Sequence, residues 1–233
     1  TNVSYREYLF WLSRVFGESY PEVYWNSLPD TNAWRSEMGF NDPMVNNYLR
    51  HAGFSHYPVV GVSWDQVQDY CAWRTDRVNE LALIGVKSLK HNSEQFDDDN
   101  FNTETYRAGQ YTGAVRKRNG YKNLRNPKDK IGRIGAKEDG ILIPGFRLPT
   151  EAELNAERLC WSSNDVAGAF ASPLKWAAAG DRRKNGTIDT AAKGYYWSSD
   201  TSGNDARSLR IFSAHSDIYG GQVPNRGGGM SVR

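Results

Sequence analysis

Between Tyr57 and Arg74 the chain compresses an apolar run, a helix cap and an amphipathic helix into a short span, and that succession limits the folds open to it. Val59, Val60 and Val62 are β-branched and predict a short buried strand. Ser63 offers its hydroxyl as an N-cap, and Gln66, three residues on, completes a capping box. Trp64, Val67, Tyr70, Cys71 and Arg74 then share one face of a helix expected over about 64–83. The stretch Arg147-Leu148-Pro149-Thr150-Glu151-Ala152-Glu153 repeats the logic. Thr150 is its cap, Glu153 stands at the third helical position, and a helix is expected over about 150–160. Ile141-Leu142-Ile143-Pro144, just before it, reads as another short buried strand.

The remaining chain predicts small elements separated by irregular backbone. Tyr5, Tyr8, Leu9, Leu12, Val15 and Phe16 follow helical spacing over 4–16, with Gly17 as the stop. Residues 18–56 suggest turns and a short helix near 43–50, packed by Trp25, Trp34 and Phe40. Ala169 to Ala179 reads as irregular and apolar, and Asn185-Gly186 marks a tight hairpin turn. Tyr195–Ser199 and Leu209–Phe212 read as antiparallel strands, and Met230–Arg233 as a closing strand. Ser213 to Gly229 reads as a loop. With eight Trp, thirteen Tyr and few long helical runs, the expected class is α+β with high irregular content. A length of 233 residues suits one domain over 1–233, carrying a polar insertion at 85–140.

The insertion opens acidic (Glu94, Asp97, Asp98, Asp99, Glu104) and turns basic, from Arg107 to Lys137. It holds few aliphatic residues, so the expectation is a solvated excursion folded back on the domain, without a core of its own. Calcium at Asp97–Asp99 is the sharper alternative, but three consecutive aspartates rarely converge on one ion. Tyr111 and Tyr121 interleave the basic residues as in nucleic-acid binders, while the acidic run opposes that reading. No nucleic-acid partner is expected.

Enzyme chemistry finds little purchase. The net charge of +2 favours no class of partner. His51, His56, His91 and His215 lack metal-ligand spacing, and no nucleophile elbow or phosphate loop occurs. Gly227-Gly228-Gly229 precedes no helix. Cys71 and Cys160 either form a disulfide in an oxidising compartment or remain buried thiols. No metal and no cofactor is expected. No apolar run reaches membrane-span length, so membrane attachment enters only through a lipid anchor outside this sequence.

These same motifs carry a resemblance. Tyr57–Arg74 followed by Phe146–Leu154, with the opening Thr1–Tyr8, resembles the formylglycine-generating-enzyme, or sulfatase-modifying factor, family. That resemblance implies a variant of the C-type lectin fold, two helices on small, twisted, mainly antiparallel sheets. Catalytic relatives use a pair of cysteines near the C-terminus, with copper; here no cysteine follows Cys160, and the implied activity is not expected. Leu28–Asn41, Val45–His51 and Trp73–Glu80 resemble gliding-motility and type IX secretion lipoproteins of Bacteroidetes, which implies a structural role as the alternative. Ala171–Thr187, Gly194–Phe212 and Asn225–Arg233 resemble the tails of variable proteins of diversity-generating retroelements.

A binding reading follows from both lines. Leu209, Ile211 and Val232 are expected to face inward, and Ser208, Arg210 and Phe212 to face the other side of the sheet. By the resemblance, 195–233 is the variable ligand-binding region. Ser208, Arg210, Phe212, His215, Asp217, Tyr219, Gly220, Gly228 and Met230 would meet the ligand. Trp197, Ser198, Ser199, Asn204, Ala206, Arg207, Asn225, Arg226, Ser231, Val232 and Arg233 would form the fixed frame. The expected product is a non-catalytic binding module at a cell surface, outside the cell or on a phage virion, with a protein or glycan ligand at its C-terminal face.

Overall fold

The structure is a computed structural model that describes residues 1–35, 42–113, 115, 139–176, 193–202, 205–212 and 215–220. Its helices are α1 (Asn2–Phe16), α2 (Pro21–Ser27), α3 (Asp42–Asn47), α4 (Trp64–Gly85), α5 (Thr103–Arg107), α6 (Glu151–Leu159) and α7 (Val166–Ala171). Its strands are β1 (Lys193–Ser202), β2 (Asp205–Phe212) and β3 (Ser216–Gly220). Helices with one small antiparallel sheet make an α+β fold. The chain divides into two compact units, one of 1–9, 27–68 and 147–233, the other of 10–26 and 69–146. Phe40, Asn185-Gly186, Asn204, the basic run from Arg116 to Lys137, and Asn225 to Arg233 lie outside the described residues.

In the first unit, the start of α1 is tied down by Asn2, which is fully buried and donates to the carbonyls of Tyr48 and Phe54 at 3.1 and 2.9 Å. Trp34, Tyr48 and Val60 form a small core beside it. Val59, Val60 and Val62 are buried as expected but do not form a strand. Gly61 interrupts them at φ +81°, and its carbonyl accepts from the Asp30 amide at 2.7 Å in place of a ladder partner.

The sheet has the order β1-β2-β3, all antiparallel. Its register sets Tyr196 opposite Leu209 and Leu209 opposite Ile218, and places Ile211 on the same face. Against that face pack Leu154 of α6, Ala169 of α7, Trp161 and Trp176. Two features depart from expectation. Val166–Ala171 is helical, because the Asp165 carboxylate caps it by accepting from the Gly168 amide at 2.9 Å. And Ser216–Gly220, read as loop, is a strand: Ser216 and Ile218 alternate with Asp217 and complete the pleat begun by β2.

The second unit is organised on the later turns of α4. Leu83, Leu89, Phe101, Tyr106 and Leu142 form its core. The polar insertion therefore contributes buried apolar side chains, but Leu83 and Leu142 from outside it complete the cluster. Polar groups of α4 fasten the segment. Asp76 accepts from the Thr103 amide at 2.8 Å, and Arg77 donates to Glu80 at 2.7 Å and to Gln95 at 3.2 Å. Burial pushes the Glu80 carboxyl up and the Arg77 guanidinium down, each partly offset by the other's charge. Ile141–Pro144 is not a strand; the Ile143 amide donates to Asn79 Oδ1 at 2.8 Å instead. Trp25, expected to pack, is 65% exposed with only the Tyr24 ring at its edge among the described aromatic contacts.

Asp97–Asp99 form a 3-10 turn with Asp98 and Asp99 exposed. No group of three metal-ligating side chains occurs among the described residues. Both cysteines are free: Cys71 is buried, which pushes its thiol up, and Cys160 is exposed. No described helix is long and apolar enough to cross a membrane.

Candidate functional site

Both capping boxes form, and both serve the sheet. Ser63 Oγ accepts from the Gln66 amide at 3.2 Å, and Gln66 Oε1 accepts from the Ser63 amide at 2.8 Å. This starts α4 with Trp64 directed at β1, where its Nε1 donates to the Ser198 carbonyl at 2.9 Å. Thr150 and Glu153 cap α6 in the same reciprocal way. Arg147 adds two bonds to Glu153, at 2.8 and 2.7 Å, and together with the Thr150 amide it holds that carboxyl down at about 2.

The start of α6 grips the same strand. The Ser199 amide donates to the Pro149 carbonyl at 2.8 Å, and the Glu151 amide donates to the Asp200 carboxylate. Glu151 in turn pairs with Arg207 of β2 at 2.8 Å. These bonds converge where the β1–β2 register shifts between Trp197 and Thr201. β3 is held by its first residue: the Ser216 carbonyl accepts from Arg158 and Asn164, each at 3.4 Å, and its hydroxyl bonds Asn164. The sheet is thereby fixed to the helices through backbone groups of Ser198, Ser199 and Ser216 and side chains of Asp200 and Arg207.

The face turned away from the helices has two ends. At one end it is closed. Trp197 and Ser208, opposite each other in the register, are 9% and 1% exposed. Neither Trp197 Nε1 nor Ser208 Oγ has a hydrogen-bond partner among the described residues. Ser208, expected to meet a ligand, is instead interior: its small side chain lies in the row of the bulky Trp197, so the outer parity of the strand does not expose it. The other end is open. Arg210 forms a side-on pair with Asp217, Nε to Oδ1 at 2.8 Å and Nη2 to Oδ2 at 2.6 Å, with 24% and 37% of the side chains exposed. The Arg210 guanidinium also lies 5.6 Å from the Phe212 ring centre. Phe212 stacks on His215 at 4.8 Å and meets the edge of Tyr195 at 6.3 Å. His215 is exposed, and its carbonyl accepts from the Phe212 amide at 2.7 Å.

Of the expected ligand-facing residues, Arg210, Phe212, His215 and Asp217 thus come together in one cluster. Tyr219 and Gly220 lie in β3, opposite Ser208 and Arg207. Gly228 and Met230 are outside the described residues. The grips by Trp64, Asp200 and Asn164 are not visible in the chain as sequence. The one hint is that each of the first two sits beside a capping box or a strand end.

A family model described as "Sulfatase-modifying factor enzyme 1-like domain" matches residues 1–210. The chain belongs to this family. No curated protein and no solved structure shows a significant match to this chain. The sulfatase-modifying-factor match spans both capped helices, β1 and most of β2, and ends at Arg210. Phe212, His215 and Asp217 lie just beyond that end.

Proposed function

We propose that this sulfatase-modifying-factor-like chain is a non-catalytic, surface-displayed binding module of C-type lectin type. Its ligand face is the open end of the outer sheet surface. The observation that carries the reading is the cluster of Arg210, Phe212, His215 and Asp217 on strands whose backbone is held by Trp64, Pro149 and Asn164. Side chains standing on a frame secured elsewhere can change without moving the frame. A variable protein of a diversity-generating retroelement needs that property, and the family match stops where the cluster begins.

The thiols give no support to formylglycine-forming oxidation. Cys71 is buried with its thiol pushed up, away from thiolate reactivity, and it and Cys160 are separate free thiols. A structural place in gliding or type IX secretion machinery would rest on the Leu28–Asn41, Val45–His51 and Trp73–Glu80 motifs. In the last of these, three polar side chains are engaged within their own unit: Asp76 with Thr103, Arg77 with Glu80, and Asn79 with Ile143.

The test is a displayed library randomised at Arg210, Phe212, His215 and Asp217 and panned against unrelated proteins and glycans. Folded binders with different ligands at wild-type-like melting temperatures are expected. A library that unfolds, or a parent chain recovered only in a stoichiometric envelope complex indifferent to these four residues, would overturn the reading.

A further inference from the structure

The proposed binding face, on which this inference rests, also indicates the ligand's chemistry: we infer that the open end recognises a neutral sugar ring, by stacking on His215 and by hydroxyl donation to Asp217. Asp217 accepts one bond at each oxygen from Arg210. A carboxylate offers about four lone-pair sites, so two are left, on a side chain that is 37% exposed. The pair carries no net charge. It therefore gives neither a free cation nor a free anion to an ionic partner, whereas neutral hydroxyl donors lose nothing by its neutrality. Beside it stands an aromatic plate: Phe212 covers one face of His215, and His215 is exposed. An acceptor pair next to a flat ring matches a pyranose, which presents hydroxyl hydrogens at its rim and an apolar C–H face.

The scale of the surface points the same way. A stable protein interface needs roughly 800 Å² from each partner. Tyr195, Trp197 and Ser208, neighbours of the cluster on the outer face among the described residues, are at most 9% exposed. Arg210, Phe212, His215 and Asp217 together match the footprint of one or two sugar rings.

Saturation-transfer NMR on the full chain with methyl β-D-glucopyranoside, methyl β-D-galactopyranoside, a lysine-rich peptide and a glutamate-rich peptide tests this. Saturation of the ring C–H protons of at least one glycoside is expected, with neither peptide binding. His215→Ala should weaken binding roughly threefold to tenfold, the worth of one aromatic stack. Asp217→Ala should remove it; if that variant fails to give the parent near-ultraviolet dichroism, Asp217→Asn, with one acceptor oxygen, should retain partial binding. A peptide that binds through these residues while both glycosides stay silent would overturn the sugar assignment and leave the binding-face reading standing. Silence of all four probes overturns the sugar assignment as well, and the panning experiment then decides the face by itself.

Discussion

Removing the Arg210–Asp217 pair separates a rim from a frame. A buried pair that loses one partner costs about 3–5 kcal/mol, because a charge is stranded away from water. An exposed pair costs about 0.2–1 kcal/mol. With 24% and 37% of the side chains exposed and two bonds at 2.8 and 2.6 Å, this pair belongs at the upper end of the exposed range. Arg210→Ala and Asp217→Ala should each cost about 1 kcal/mol, or about 2–4 °C in melting temperature for a chain of this size. The coupling in a double-mutant cycle should be about 0.5–1 kcal/mol. Urea unfolding of the four proteins at 50 mM and 1 M sodium chloride reads both quantities, and the coupling should shrink at the higher salt. A salt-insensitive coupling above about 3 kcal/mol would refute the reasoning, since positions 210 and 217 would then be part of what holds the sheet. A coupling of about 1 kcal/mol also means that exchange at one position is best tolerated with exchange at the other.

Two further outcomes follow from buried polar groups. Ser208→Ala should be neutral or stabilising by up to about 1 kcal/mol in urea unfolding, because it deletes a buried hydroxyl that has no partner among the described residues. Ser208→Leu should destabilise by about 1–3 kcal/mol through overpacking against the Trp197 row. Glu80 is held above its ordinary value of 4.5 by burial, so the folded state binds its proton more tightly than the unfolded chain does. Its contribution to stability is full below 4.5 and is lost as pH rises through the raised value, and Glu80→Gln should flatten that part of a pH series of urea midpoints.

The helical half of the fold was legible because its signals are local. Ser63 with Gln66 and Thr150 with Glu153 satisfy the first amides of their own helices, and both boxes appear as read. The β1–β2 hairpin was legible through the alternation of Leu209 and Ile211 with Arg210 and Phe212. The valine run before α4 and Ile141–Pro144 misled, because propensity marks extended backbone without saying what pairs with it; Gly61 and Asn79 redirect those amides and carbonyls. β3 was missed because glycine and serine flank an alternation only five residues long. In the candidate site, residue type located the cluster but not its depth. Ser208 and Arg210 share a face and differ in exposure, which depends on neighbours distant in sequence.

The central claim is that the open end of the outer face is replaceable and the closed end is not. Thermal melting of two sets of substitutions tests it: exchanges at Arg210, Phe212, His215 and Asp217 against Trp197→Ala and Ser208→Leu, both at the closed end. The first set should melt within about 4 °C of the parent and the second well below it. Equal losses in both sets would contradict the claim, for the rim would then be as structural as the frame beneath it.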